Sequence, residues 1–221
     1  MSIKIITTED GSHSLFDEEL NETYHSTRGA LGESTHVFIK EGLNFWHAKN
    51  SSEEIKILEV GLGTGLNAFL SAVWAEEKTK RIHFTSLEPH PIEASIYNKL
   101  NYFKSDEEQD LLLKIHQSDW EVVVPMSPVF DLHKTVQSLE SYKSFIHFDL
   151  IFFDAFAPSK QPEVWSLENI QKCFDHLAPA GILTTYCAQG QFKRNLKQAG
   201  FTVETLQGAM GKKEMVRGLK G

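Results

Sequence analysis

The stretch Ile55-Lys56-Ile57-Leu58-Glu59-Val60-Gly61-Leu62-Gly63-Thr64-Gly65-Leu66 decides how the rest of the chain is read. Ile55, Ile57, Leu58 and Val60 form a short apolar run interrupted by one acid, Glu59, and the run ends in three glycines at alternate positions. Such a run predicts a buried parallel strand, and Leu66-Asn67-Ala68-Phe69-Leu70 predicts a helix packed back on it. The turn between them needs glycine because the backbone takes unusual dihedrals and a ligand must come close to it. Free amides at the helix start then face a polar group. The spacing is G-x-G-x-G with no Gly-Lys-Ser/Thr after it, which excludes a P-loop.

A second acid narrows the ligand. Residues 82–88 predict the next strand and end at Glu88, 23 residues after Gly65. A carboxylate there grips ribose hydroxyls in nucleoside-binding α/β folds. Strand, glycine trio (Gly61, Gly63, Gly65), helix and second acid together resemble the S-adenosylmethionine site of class I methyltransferases more than a dinucleotide site. The plain alternative is a tight turn with Glu88 as a solvated strand end.

The 221 residues, 41% of them hydrophobic, suffice to bury the core of one α/β domain. No run of about 18 apolar residues is present and Met1-Ser2-Ile3-Lys4 lacks a signal-peptide core, so no membrane partner is expected. Cys173 and Cys187 form no C-x-x-C, which suits a reducing, cytoplasmic setting. The ten histidines contain no H-E-x-x-H, so no metal site is expected. Net charge is −8 but uneven: residues 189–221 hold seven Lys/Arg against Glu204 and Glu214, a surplus of +5. That tail reads either as a solvated basic face or as a footprint for a polyanion.

Residues 1–50 predict an N-terminal extension with a hairpin at Asp10-Gly11, lying over the pocket as a lid or side wall. Residues 51–221 predict the main domain. After the first strand, helices are expected at 65–77, 91–103, 162–176 and 189–199, and strands at 82–88, 111–117, 148–154 and 181–187. Two final strands, 201–206 and 214–217, are expected to be antiparallel, while 121–146 can pair as helix or strand. The result is a Rossmann-like, doubly wound, mostly parallel seven-stranded sheet with a small β-containing extension.

In such a sheet the ligand lies beyond the carboxyl ends of the strands. Four polar tips are expected there: Glu59 with the glycines, Glu88, Asp119-Trp120 and Asp154. Asp119 would accept from an adenine amine and Trp120 would stack on or shield the ring. Asp154, in Asp154-Ala155-Phe156-Ala157-Pro158, stands on the pocket rim before a proline-stiffened turn. Methylating an amine requires in-line alignment and loss of a proton, because alkylammonium groups titrate near about 10. A carboxylate at Asp154 would orient the amine and receive that proton, positioning first and base second.

Further stretches resemble the MnmC methyltransferase-domain family, the methylating part of 5-methylaminomethyl-2-thiouridine synthesis in tRNA. They are Asp10-Gly11-Ser12, Tyr24-His25-Ser26 with Gly29-Ala30, Glu33-Ser34 and His36-Val37-Phe38-Ile39, residues 58–66, Asp154–Pro158 with Lys160, Pro162-Glu163 and Trp165, and Gly211-Lys212-Lys213-Glu214-Met215. The resemblance runs in order over almost the whole chain. It implies a class I fold, S-adenosylmethionine, and methyl transfer to the primary amine of 5-aminomethyluridine at the wobble position. It places Glu59, Gly61, Gly63, Glu88, Asp119 and Asp154 at the cofactor, and Tyr24, His25 and Ser26 near the methyl-transfer pocket. The partner it implies is the tRNA anticodon stem-loop, met by Arg28, Lys193, Arg194, Lys212, Lys213 and Arg217. Nothing here matches the flavin-dependent oxidase domain fused in bifunctional members, so a separate enzyme is expected to supply the amine. Two other classes stay open: an aminopropyltransferase or methyltransferase for a small amine, with an acid-rich closed pocket, and a non-catalytic module on the same fold.

Overall fold

The computed structural model describes residues 3–221. The extension begins with a small sheet of its own. β1 (Ile3–Thr7) and β2 (His13–Asp17) pair antiparallel around Asp10-Gly11, and β3 (Glu22–Thr23) adds to β2. Asp10 fixes the turn by accepting from the Thr8 and Ser12 hydroxyls, and it also accepts from the Gly32 amide across the chain.

A helical rod follows that the sequence did not announce: α1 (Ala30–Ser34), a π-wound segment Thr35–Asn44, then α2 (Phe45–His47). Gly32 and Gly42 lower its helix propensity, and π winding alters the spacing at which apolar residues share a face. Val37, Phe38, Leu43 and Trp46 are buried, so this polar-looking segment joins the main core. Phe38 meets Phe152 of the large sheet with ring centroids 5.2 Å apart.

The large sheet starts with β4 (Glu54–Val60), whose Ile55, Ile57 and Leu58 are fully buried. Each such side chain contributes roughly 1.5–3 kcal/mol. α3 (Leu66–Lys78) returns the chain to β5 (Arg81–Leu87). A short α4 (Ala94–Tyr97), α5 (Asp106–Gln117) and the strands β6 (Val123–Ser127) and β7 (Phe130–Thr135) complete that side. On the other side lie β8 (Phe148–Phe153), α6 (Leu167–His176), β9 (Leu177–Thr185), α7 (Gly190–Ala199), β10 (Thr202–Gln207) and β11 (Glu214–Leu219). The order is β10-β11-β9-β8-β4-β5-β7-β6. The five strands from β9 to β7 are parallel, and β11 runs antiparallel to β9, as expected.

Three expectations change. The sheet has eight strands, because β6 adds an antiparallel edge to β7. Residues 111–117 are helix, not strand: Ser105 caps the Glu108 amide, three acids occupy the first turn, and Leu112 and Ile115 face inward. The third parallel strand is therefore β7, so Asp119-Trp120 follows a helix and is not a strand tip. The helix expected over 91–103 shrinks to α4, because the Lys99 carbonyl and the Asn101 side chain bond instead to His13 and Gly11 of the extension. Among the described residues no helix is long and apolar enough to cross a membrane.

Candidate active site

The carboxyl ends of β4, β5 and β8 meet the extension around a cavity of about 470 Å³. Its first half is backbone. Gly61 has φ 95° and a side chain there would start 2.6 Å from the Asp154 carbonyl oxygen, so only glycine fits. Gly63 N–H donates to Glu88 Oε2 at 2.8 Å and His90 N–H to Oε1 at 2.9 Å. Burial raises the Glu88 carboxyl above its ordinary range, with those amides pulling the other way. Gly65 stands behind the turn as the cap of α3, against His116, and lines neither cavity.

Past Glu88 a smaller cavity of about 200 Å³ opens between Ile92, Tyr97, His116 and Trp120. The His116 ring stacks on Tyr97 at 4.7 Å, and its Nε2 lies 2.9 Å from the Thr64 carbonyl. Buried Lys134 underpins this wall by donating to the Ile115 and His116 carbonyls at the end of α5 and lying 4.7 Å from the Trp120 ring centre. Trp120 is thus at the pocket. Asp119 is not: it is exposed and lines neither cavity.

The second half is built from side chains. Asp154 follows β8, lines the cavity and accepts from Asn67 Nδ2 at 2.8 Å. Burial pushes its carboxyl up to about 7, and the neighbouring Glu33 acts in the same direction. Tyr24 packs edge-on to Phe156 at 4.8 Å, with its ring against Gly63. His25 is buried with Nδ1 3.1 Å from Ser14 Oγ, and burial pushes it down to about 4, so it is neutral at physiological pH. Ser26 N–H donates to Glu33 Oε2 at 2.7 Å, and the other Glu33 oxygen pairs with Lys212. Lys212 Nζ lies 4.5 Å from the ring centre of Tyr186, whose hydroxyl donates to the Ala155 carbonyl at 2.8 Å. Glu59 is fully buried, does not line the cavity, and accepts from Ser86 Oγ.

Sequence reasoning missed Asn67, Glu33 and Tyr186. Asn67 had a signal, a lone amide in the apolar run Leu66–Leu70 just after the glycine turn. Glu33 stands in the Glu33-Ser34 stretch of the resemblance, which gives it no role, and Tyr186 has no local signal, because its contacts are distant in sequence.

The basic tail does not form one face. Arg217 is 4% exposed, binds Glu204 and Glu41 and stacks under Phe45, so it reaches no external phosphate. Lys193 pairs with Glu214, Lys212 turns into the cavity, and Arg28 donates to the Met210 carbonyl. Arg194 and Lys213 remain exposed.

Residues 98–221 match the model of a family described as S-adenosyl-L-methionine-dependent methyltransferase. The chain belongs to that family. A tRNA 5-methylaminomethyl-2-thiouridine biosynthesis bifunctional protein MnmC from Azoarcus sp. (strain BH72) is 30% identical over 224 residues, covering 95% of this methyltransferase and 34% of that protein. The chain thus spans about a third of the length of the curated relatives it matches. The crystal structure of MnmC2 from Aquifex aeolicus superposes with a TM-score of 0.81 at 23% identity, covering 98% of this methyltransferase and 69% of that chain. Spermidine synthase from Thermotoga maritima shares the fold at a TM-score of 0.56 and 14% identity, over 99% of this chain and 68% of that one. S-adenosylmethionine is the family's cofactor, and the site fits it. Gly61 and Gly63 line the cavity beside Glu88, whose carboxylate is fixed there by the Gly63 and His90 amides.

Proposed function

We propose that this methyltransferase acts on the primary amine of 5-aminomethyluridine, or its 2-thio form, at the wobble position of tRNA, giving the 5-methylaminomethyl product in the cytoplasm. One observation carries the reading: Asp154, held by Asn67, floors the cavity half that Tyr24, His25 and Ser26 wall in. The naming of relatives over 95% of the chain supports the same substrate.

When bound, the cofactor supplies a methyl group on a sulfonium sulfur. Glu88 would hold its ribose, the turn at Gly61 and Gly63 its polar backbone-facing edge, and the Trp120 cavity its adenine. Asp154 receives an N–H of the acceptor amine and takes its proton, which requires the carboxylate form and so a pH above about 7. His25, neutral and bonded to Ser14, fixes the wall and does not carry the proton. Ser26 positions Glu33 and Lys212 at the same wall. Arg194 and Lys213 would meet stem phosphates, with the base unstacked into the cavity. An oxidase or other modifying activity would supply the amine.

The cavity lining also holds Asp17, Glu22 and Glu140, and this acid-rich mouth favours a second reading, transfer to a small cationic amine. Labelled S-adenosylmethionine, tRNA from cells lacking this protein, and nucleoside mass analysis separate the two. Conversion of 5-aminomethyluridine to its methylated form supports the first. Absence of label in tRNA, with label in a small polyamine, sinks it.

A further inference from the structure

The Ser14 hydroxyl decides which nitrogen of His25 carries the hydrogen. Ser14 Oγ accepts the His25 backbone N–H at 3.1 Å. Its own hydrogen then needs an acceptor inside the protein, because Ser14 is wholly buried. The acceptor it meets among the described residues is His25 Nδ1, also 3.1 Å away. Nδ1 is therefore the bare nitrogen of the ring, and Nε2 carries the hydrogen. The reverse tautomer would leave the Ser14 hydroxyl buried without an acceptor, which folded proteins avoid. Burial also pushes His25 down to about 4, so the ring holds one hydrogen and not two.

Nε2 has no partner among the described residues, yet it is not sealed inside the protein as the unpartnered Nδ1 of His47 is. His25 lines the cavity, so this N–H is offered there. The other polar groups of the wall are engaged. Glu33 is held by the Ser26 amide and Lys212, Asp154 by Asn67, and the Tyr186 hydroxyl by the Ala155 carbonyl. A neutral donor with no internal acceptor is matched by a carbonyl oxygen on the substrate.

We infer that His25 Nε2–H donates to the 4-carbonyl oxygen of the acceptor pyrimidine, so that His25 tells uridine from cytidine. The inference rests on the proposed function and names what that site reads besides the amine. In 5-aminomethyluridine the 4-carbonyl stands next to the ring carbon that bears the aminomethyl group. An amine seated at Asp154 therefore brings that oxygen towards the wall of Tyr24, His25 and Ser26. Cytidine puts an amino group in the same place, and two donors would then face each other in a buried wall. Thiolation at position 2 leaves the contact unchanged, so both forms of the substrate are read alike. A polyamine has no carbonyl to offer Nε2–H.

The test uses the full chain, S-adenosylmethionine and synthetic anticodon stem-loops carrying 5-aminomethyluridine or 5-aminomethylcytidine at the wobble position. Wild type is expected to prefer the uridine by at least about tenfold in kcat/KM. His25→Phe should bring that ratio to within about twofold of one, mainly by losing rate on the uridine, with cofactor affinity by calorimetry unchanged. His25→Gln, whose NH₂ replaces the Nε2–H donor, should recover most of the preference. A ring needed for packing alone predicts the reverse order, with Phe tolerated and Gln not. Equal rates of wild type on the two stem-loops overturn the inference, as does a His25→Phe variant that keeps the preference or loses cofactor affinity instead. Should His25→Phe fail to fold, nitrogen-15 NMR of histidine-labelled wild type still decides. The Nε2–H tautomer is expected, with the Nε2 signal moved by the uridine stem-loop, and an Nδ1–H tautomer or an unmoved signal overturns the inference. Failure to methylate either stem-loop would sink the substrate reading and this inference with it, whereas equal rates leave amine methylation in tRNA standing.

Discussion

The half of the cavity under the glycine turn and the half under the extension are made of different material. The first uses peptide groups: an N–H from Gly63, an N–H from His90, and a bend that only glycine allows. The second uses side chains held by charge and hydrogen bonds, with Glu33 and Lys212 brought together from opposite parts of the chain. A backbone site is fixed once its strand and helix are packed. A side-chain site depends on every partner and can be retuned one residue at a time. Under the proposed function, that division would separate a cofactor half from an acceptor half.

The largest break should come from the acceptor half. Asp154→Asn keeps the shape and removes the proton acceptor, so kcat should fall about 10²–10⁴-fold with cofactor affinity within twofold by calorimetry. A comparable loss of cofactor binding in that variant would show that the halves are not separable. Gly61→Ala should do the reverse, weakening cofactor binding about 100-fold, since the new carbon meets the Asp154 carbonyl at 2.6 Å in a left-handed conformation.

Stability against pH probes the seam between the halves. The folded Glu59 carboxyl, pushed up to about 8 from its ordinary 4.5, binds its proton more tightly than the unfolded chain does. It therefore contributes stability below 4.5 that is lost as pH rises through about 8. Denaturant melts across that window should show a decline that Glu59→Gln flattens. Lys212→Met leaves Glu33 buried without its cation and should cost about 1–2 kcal/mol, less than a fully buried pair because the Lys212 side chain is 39% exposed. A double-mutant cycle with Glu33→Gln isolates the pair. The smallest effect belongs to the exposed cations. Arg194→Ala with Lys213→Ala should raise KM for tRNA a few-fold and lower the salt slope by about one per residue, with cofactor binding unchanged.

What the sequence made legible follows the same division. The β4 turn, the Glu88 tip, the β8 tip and the antiparallel final strands all rest on local patterns, and each formed where expected. The third strand was misplaced because Leu111-Leu112-Leu113 suggested a buried run, although Ser105-Asp106-Glu107-Glu108 just before it is a helix-capping signature. The true strand, β7, hides behind Asp131, His133 and Lys134, of which the fold pairs Asp131 with Arg81 and His83 and Lys134 with the Ile115 carbonyl. The rod from Ala30 to His47 was unreadable because its middle is wound as a π-helix. Counting Lys and Arg overstated the basic face, since burial of Arg217 and pairing of Lys193 and Lys212 depend on acids far away in sequence.

Those distant pairs also order events in time. Arg28 reaches Met210 across 182 positions, Glu33 reaches Lys212 across 179, and Glu41 reaches Arg217 across 176. Contacts this remote form late in folding, because so long a loop must close before they give anything back. During synthesis the glycine turn and its sheet have their local partners well before residue 212 emerges. A nascent chain would therefore shape the glycine-turn half of the cavity first and complete the side-chain half only once the loop that carries Lys212 has arrived.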